Sequence, residues 1–258
     1  SSRFWFAGLT GKKAPRIYFS QTMINDKSVD KLYSINDPSS EISDVLKSDG
    51  GYVVIPEVTQ VVSLFPTKDS LIVLAKNGVW RISGTVNGAF SATDYQVDKI
   101  SSFGCVSSKG VCELSGVVYY VGTFGIYAFD GKDVFNITEK SVGGIWTVIP
   151  PANLAEALLV PNNRDETVHM VYSDYGLWTN FDKELIYNSE NKSVYTMSYS
   201  SDLSRYIVGA YLTKSQIEHK QIAYVCVTPS TNDNSTLGVF TNTHGLYTDF
   251  RSIYSPAY

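Results

Sequence analysis

Asn77-Gly78-Val79-Trp80 contains a triplet, glycine then aliphatic then aromatic, that this chain of 258 residues uses four times. The four copies are Gly78-Val79-Trp80, Gly125-Ile126-Tyr127, Gly176-Leu177-Trp178 and Gly245-Leu246-Tyr247. Successive triplet glycines are 47, 51 and 69 residues apart. These spacings are close to the roughly 40–50 residues of one propeller blade and too long for one solenoid coil. The triplets therefore predict one sheet unit that is used repeatedly.

Nine residues define the repeat, because each triplet supplies a glycine and an aromatic residue and the first copy adds an asparagine. Asn77 with Gly78 is the strongest hairpin signal in the chain, since both residue types tolerate positive φ. The nine turn and repeat positions are Asn77, Gly78, Trp80, Gly125, Tyr127, Gly176, Trp178, Gly245 and Tyr247. No catalytic, cofactor-binding or metal-ligating residue is predicted among them.

Short strand-like runs fall into rounds of four, and the chain is rich in Tyr and Phe, which suit pleated, half-buried surfaces. The predicted rounds are 52–55, 61–65, 71–75, 79–82; 111–114, 117–121, 126–129, 134–137; 157–160, 167–172, 176–179, 185–187; and 194–197, 205–208, 222–227, 239–240. A hairpin of 3–8 and 16–20 precedes them, and 152–159 is the one stretch predicted to be helical. The fold class predicted is all-β: a β-propeller-like array of about four to six blades, built from short antiparallel meanders with long rim loops.

Length predicts one domain over residues 1–258, with 25–51 as a polar insertion on one rim. The terminal residues, Ser1 and Tyr258, lead us to expect that the chain is a piece of a longer polypeptide. The insertion holds an acidic cluster whose spacing does not match a calcium-binding EF-hand loop, so a solvated loop is favoured over a cation site. Its members are Asp26, Asp30, Asp37, Glu41, Asp44 and Asp49.

Charge and cysteine content exclude several function classes. The net charge is -4 with 18% charged residues and no basic stripe, which argues against sequence-specific binding of nucleic acid. No apolar run is long enough to span a bilayer, so no membrane anchor is expected. Cys105, Cys112 and Cys226 lack metal-ligand spacing and are predicted to be core residues of a protein that folds in a reducing compartment.

The sequence does not predict an enzyme, a cofactor or a metal site. The three histidines, His169, His219 and His244, have no metal-ligand or general-base pattern, and each is interpreted as a packed or surface residue. Residues 173–179 partly resemble the Asp-box hairpin of sialidases, but only one copy is close. The arginines that a sialidase would need are scattered at Arg3, Arg16, Arg81, Arg164, Arg205 and Arg251.

Several linked segments between residues 3 and 129 resemble virion structural proteins of tailed bacteriophages, in particular the tail-tube or nozzle proteins of short-tailed phages. The segments are 3–8, 16–21, 36–41, 48–51, 77–84, 90–104, which includes Phe90-Ser91-Ala92-Thr93-Asp94-Tyr95, and 125–127. Within that group the segments resemble the proteins related to tail tubular protein B. This resemblance implies a β-propeller-containing subunit of a homo-oligomeric ring, a hexamer. Such a ring lies at the tip of the tail and contacts tail adaptor and tail fibre proteins. Genome DNA would pass through it without specific binding.

The resemblance also implies a location in the virion tail, after assembly in the host cytoplasm, and a role in genome ejection. Two other hypotheses stay open from the residues alone. One is a propeller binding module whose rim loops recognise a host receptor or glycan. The other is a glycosidase, which would need two carboxylates about 5–9 Å apart in a central pocket.

Overall fold

The computed structural model describes residues 3–23, 31–33, 46–85, 90–174 and 181–198 in full, and the backbone alone of four further strands, 206–213, 221–228, 236–241 and 251–253. These residues form five antiparallel sheets, each a meander in chain order. The chain divides into two compact units, Ser1–Cys105 and Val106–Tyr258. The expectation of one domain stays a prediction.

The first unit contains two sheets. The first sheet has three strands and the second sheet has four, and a short 3-10 turn at Gly11–Lys13 joins the first two strands. The strands are β1 (Trp5–Phe6), β2 (Arg16–Phe19) and β3 (Gly51–Val54), then β4 (Val61–Pro66), β5 (Ser70–Ala75), β6 (Gly78–Ser83) and β7 (Gln96–Ser101). Ile17, Phe19 and Val53 of the first sheet pack with Trp80 and Ile82 of the second in one hydrophobic core.

The second unit contains the other three sheets and two helices. The third sheet is β8 (Val111–Leu114), β9 (Val117–Gly122), β10 (Gly125–Phe129) and β11 (Val134–Asn136), and α1 (Glu139–Trp146) and α2 (Pro151–Glu156) follow it. The fourth sheet is β12 (Leu158–Asn162), β13 (Thr167–Tyr172), β14 (Lys183–Asn188) and β15 (Val194–Ser198). The fifth sheet is β16 (Tyr206–Thr213), β17 (Gln221–Thr228), β18 (Thr236–Thr241) and β19 (Arg251–Ile253).

The fold is all-β and propeller-like, as the sequence predicts. The part of the chain that the structure describes forms five meanders, a number within the predicted four to six. In the second unit the first strands of neighbouring sheets lie side by side: β12, which begins the fourth sheet, contacts β8 of the third sheet and β16 of the fifth. The first strands of neighbouring propeller blades meet in this way around the axis. Central strands such as β5, β10 and β13 are buried along almost their whole length, so both faces of their sheets are covered.

The predicted grouping of strands is wrong at two places. The run 52–55 pairs with β2 in the first sheet, and the fourth strand of the second sheet is Gln96–Ser101. The run 194–197 likewise closes the fourth sheet and does not open the next one. Strand-like runs look alike in sequence, so counting them off in fours does not show which strands share a sheet. The short connection 55–60 leads from the first sheet to the second, whereas the longer connection 84–95 joins two strands of the same sheet.

The helix prediction also needs correction. The helix predicted over 152–159 ends at Glu156, because Leu158–Asn162 is drawn into the antiparallel ladder with β13. A second helix, α1, was not predicted, since Gly143 and Gly144 lower its helix propensity. Tertiary contacts stabilise α1: the Trp146 indole donates to the carbonyl of Gly122 at 3.1 Å, and the ring lies in the core of the second unit.

Candidate functional site

The first predicted turn, at Asn77 and Gly78, joins β5 to β6 and fastens the start of the same sheet. The Asn77 side chain donates to the carbonyl of Glu57 at 2.7 Å and accepts from the Thr59 hydroxyl at 3.0 Å. Gly78 has φ of +157°, and a Cβ there would lie 2.6 Å from the carbonyl oxygen of Ser101. Only glycine fits so close to the neighbouring strand.

The second predicted turn repeats this construction. Gly125 begins β10 with the same φ of +157°, and a Cβ there would overlap the Asn136 amide and lie 2.5 Å from Thr138 Oγ1. Asn136 donates to the carbonyl of Phe124 at 3.0 Å, and the Thr138 hydroxyl accepts from the backbone N–H of Ile126 at 3.0 Å. An asparagine therefore fastens each of these two turns, although it stands at a different position in each.

The triplet aromatics are core residues in the two copies that the structure describes. Trp80 is buried in the core of the first unit, and Lys99 Nζ lies 5.4 Å from the centre of its ring. Tyr127 is buried and stacks on Tyr120, with ring centres 5.4 Å apart. The other four predicted positions lie outside the described residues: Gly176, Trp178, Gly245 and Tyr247.

A buried polar cluster that the sequence does not predict lies on the fourth sheet. His169 Nδ1 is 2.6 Å from a carboxylate oxygen of Glu184, and His169 Nε2 is 2.9 Å from the Thr167 hydroxyl. With Glu184 ionised, Nδ1–H donates to the carboxylate and the Thr167 hydroxyl donates to Nε2. The three side chains form a hydroxyl–imidazole–carboxylate relay.

Strand register explains how these three residues meet. Thr167 and His169 are two apart on β13 and share one face, and Glu184 on β14 stands opposite Val171, the next residue on that face. The Glu184 side chain is 0% exposed and that of His169 is 12% exposed. A nucleophilic Thr167 would need a substrate beside its hydroxyl, but this residue is itself buried. The relay ties β13 to β14 as a structural link, in keeping with the interpretation of His169 as a packed residue.

Four of the predicted arginine positions have described side chains, and each has its own partner. Arg3 donates to the carbonyls of Ser20 and Asp49 at 2.5 Å and lies against the rings of Phe19 and Phe90, and burial lowers the pKa of its guanidinium. Arg16 lies over a tyrosine ring of the first sheet, Arg81 pairs with Asp98 at 3.2 Å, and Arg164 pairs with Asp165 at 3.8 Å. Arg205 lies outside the described residues, and the side chain of Arg251 is not described.

The cysteine prediction is confirmed for the two described side chains. Cys105 and Cys112 are buried, and burial raises the pKa of the Cys112 thiol to about 12. The Cys226 side chain is not described. Of the acidic cluster only Asp49 is described, and it accepts from the backbone N–H of Leu46 at 2.8 Å, as a turn residue does. His219, His244 and residues 175–179 of the partial Asp-box lie outside the described part.

Near that segment, burial raises the pKa of the Asp182 carboxyl, and the neighbouring charge of Asp174 adds to the shift, whereas a hydrogen bond from Ser173 opposes it. Lys183 lies 3.5 Å from Asp174 and partly balances the two carboxyls. Across the fully described residues there is no group of three or more His, Cys, Asp or Glu side chains arranged to hold a metal ion. Within the same residues no helix has the length and hydropathy to cross a membrane.

Comparison with known proteins finds no protein-family model that matches the chain and no curated protein that matches its sequence.

Proposed function

We propose that this chain is a structural component of a bacteriophage tail, a subunit of the nozzle or tail tube through which the genome is ejected. One observation carries the proposal: the two repeat turns that the structure describes and the Thr167–His169–Glu184 cluster are occupied in holding strands together. The Asn77 and Asn136 turns and the Glu184 relay all have structural partners. This is the construction expected of a passive scaffold, and the sequence resemblance supplies the tail as its location.

Charge supports the same role. A protein that holds DNA presents many Lys and Arg side chains to the phosphates, and its affinity grows with each one. This chain has a net charge of -4, so a channel built from several copies would let a polyanion slide past. The many aromatic residues also suit permanent interfaces between subunits, where aromatic residues are enriched.

Electron microscopy of the purified full chain tests the proposal, together with mass spectrometry of purified tailed particles whose genome encodes it. The expected result is a closed ring with a central hole wide enough for duplex DNA, and the chain among the particle proteins. Absence of the chain from the particles, or a lumen dense in Lys and Arg, would overturn it. Duplex DNA added to the ring at low salt is the control for adhesion, and weak, sequence-independent binding is expected.

A binding module for a host glycan is the second candidate, and one observation favours it. Phe124 is 70% exposed beside Asn136, and Phe135 on the same strand as Asn136 is also exposed. Exposed aromatic rings can stack on the apolar faces of sugars. Glycan-array binding by the isolated chain that Phe124→Ala removes, while the matched variant Phe103→Ala retains it, would favour this function over the scaffold.

A further inference from the structure

The first sheet differs from the second, third and fourth sheets because only one of its faces is covered. Burial alternates along β2 and β3, whereas β5, β9 and β13 are buried at almost every position. Ile17, Phe19 and Val53 point into the core of the first unit. The residues between them point the other way and remain accessible to solvent.

The uncovered face has the composition of a sheet interior. Phe6 on β1 stands opposite Tyr18 on β2, which stands opposite Tyr52 on β3, so three rings form one row across the sheet. Phe6 is 41% exposed, Tyr52 is 47% exposed and Val54 is 45% exposed. We call the surface formed by Phe6, Arg16, Tyr18, Tyr52 and Val54 the outer face. Isolated exposed apolar residues need no explanation, but a contiguous row of them marks an interaction site.

The segment that carries β1 and β2 is basic, whereas the rest of the chain has an acidic excess. Residues 3–23 hold four of the 21 Lys and Arg and none of the 25 Asp and Glu, which leaves 17 basic against 25 acidic residues elsewhere. Lys12 and Lys13 are exposed on the turn that joins β1 to β2, and Arg16 stands on the face itself. In the described part of the chain none of these three cations forms an ion pair.

Arg16 is held in place on this face. Its guanidinium lies 4.7 Å from the centre of the Tyr52 ring, and the Tyr18 and Tyr52 ring centres are 5.6 Å apart. A hydrogen bond with Tyr18 raises the pKa of the Arg16 guanidinium. A preorganised arginine with flanking tyrosines is the composition typical of binding hot spots.

We propose that the outer face docks onto a second copy of this chain, on the part outside residues 3–23, which carries the acidic excess. The partner is chosen by charge complementarity, because the residues outside 3–23 carry the whole acidic excess of the protein. A basic aromatic face on one copy that meets an acidic surface on the next makes a head-to-tail contact, and such contacts generate rings when the rotation closes. The inference rests on the proposed function in that it supplies the subunit contact of the proposed ring.

A stacked ligand such as a sugar or a nucleobase fits the outer face less well. A stacking platform needs open ring faces. One face of Tyr52 is already covered by Arg16, and the Tyr18 ring is inclined to it by 49°. Two inclined tyrosine rings with a guanidinium over one of them suit the side chains of another protein better than a flat ligand.

Sedimentation velocity of the full chain, from about 1 to 100 µM, tests the proposal. Wild type is expected to self-associate, and Tyr52→Glu is expected to weaken the association at least tenfold, because it places an anion in the row of rings. Phe103→Glu is the matched control, since Phe103 is 52% exposed in the same unit but lies off the outer face, and it should associate like wild type. Lys12→Glu with Lys13→Glu should also weaken association, and 1 M NaCl should reduce the difference between that variant and wild type.

Circular dichroism establishes that each variant is folded, and the Lys12 and Lys13 double variant, on an exposed turn, keeps the test valid if Tyr52→Glu does not fold. A wild-type chain that is monomeric at about 100 µM would overturn the proposal, and so would equal association of wild type and Tyr52→Glu. A monomeric chain that binds dextran sulfate or single-stranded DNA through Tyr52 would also overturn it and assign the face to that polyanion. If Tyr52→Glu still forms rings, the proposed docking surface is wrong but the proposed function stands. If the chain associates through Tyr52 but is absent from tailed particles, only the assignment to a phage tail is wrong.

Discussion

The first and fourth sheets are both antiparallel meanders, yet they use their faces differently. The fourth sheet buries both: Met170, Leu185 and Tyr187 lie in the core of the second unit, and Val160 and Glu184 on its other face are also buried. The first sheet buries one face and exposes Tyr52 and Val54 on the other. A residue's contribution to folding therefore depends on which sheet and which face it occupies. The fourth sheet stabilises the fold, and the outer face of the first is available for contacts with a partner.

Leu185→Ala should have the largest effect on the fourth sheet. The side chain is 0% exposed, so truncation removes its burial and leaves a cavity, at a cost of about 2–5 kcal/mol in the free energy of unfolding. Urea unfolding followed by circular dichroism measures the loss. Leu185→Met, which nearly conserves volume, is the control and should cost less than about 1.5 kcal/mol. A cost below about 1 kcal/mol for Leu185→Ala would contradict the close packing of this face.

Glu184→Ala should destabilise the fourth sheet by about 1–3 kcal/mol, because it leaves the His169 Nδ1–H without its acceptor in a buried place. Glu184→Gln keeps an acceptor oxygen at the same position and should recover much of the loss. The NMR chemical shifts of the His169 ring nitrogens report the tautomer directly. If Glu184→Gln were as destabilising as Glu184→Ala, the carboxylate charge would matter more than the hydrogen bond.

The contact between His169 and Glu184 shows what the sequence alone could not supply. The triplet glycines and Asn77 predicted where two strands begin, because a close backbone approach or positive φ leaves a mark in residue type. The partner of His169 left no such mark. Glu184 stood just outside the predicted strand 185–187, and its meeting with His169 depends on the register between β13 and β14. Register and the assignment of strands to sheets are set by contacts between distant residues, so the predicted grouping was wrong where the contacts decided it.

Alkaline pH should weaken the second unit, which buries one thiol and two tyrosine hydroxyls whose pKa values are raised. Burial raises the pKa of the Cys112 thiol from 9.0 to about 12, and it raises the pKa of the Tyr119 and Tyr172 hydroxyls from 10.0 to about 12. The folded state then holds protons that the unfolded state releases, so stability is complete below about pH 9 and falls as the pH rises toward 12. Urea unfolding at pH 8 and pH 10 measures this. The thiol is expected to lower the free energy of unfolding by on the order of 1 kcal/mol between the two pH values, which also lowers the urea midpoint. A control Cys112→Ala variant should show a smaller fall, and an unchanged midpoint in wild type would contradict the burial of the thiol.

Asn77→Ala tests whether a turn in the first unit contributes less than the relay in the second. It removes the bonds from Asn77 to Glu57 and Thr59 at a partly exposed turn, so a loss of about 0.5–1.5 kcal/mol is expected. Asn77→Asp is the matched variant: it retains the acceptor for Thr59, loses the donor to Glu57 and should fall between wild type and alanine. The free energies of unfolding in urea give the order, and a loss equal to that of Glu184→Ala would remove the distinction between the two sites.

Val54→Ala should have the smallest effect, because Val54 is 45% exposed on the outer face of the first sheet. Surface substitutions away from a special feature usually change stability by within about 0.5 kcal/mol, so the free energy of unfolding of the dilute chain should hardly move. Val53→Ala, one residue earlier on the same strand, is the control, since Val53 is 1% exposed in the core and should cost several times more. Equal losses would mean that the outer face is covered in the folded monomer, and then it could not be the surface that docks a second copy. If the two losses differ as expected while Val54→Ala also weakens self-association, the same strand serves folding with one face and assembly with the other.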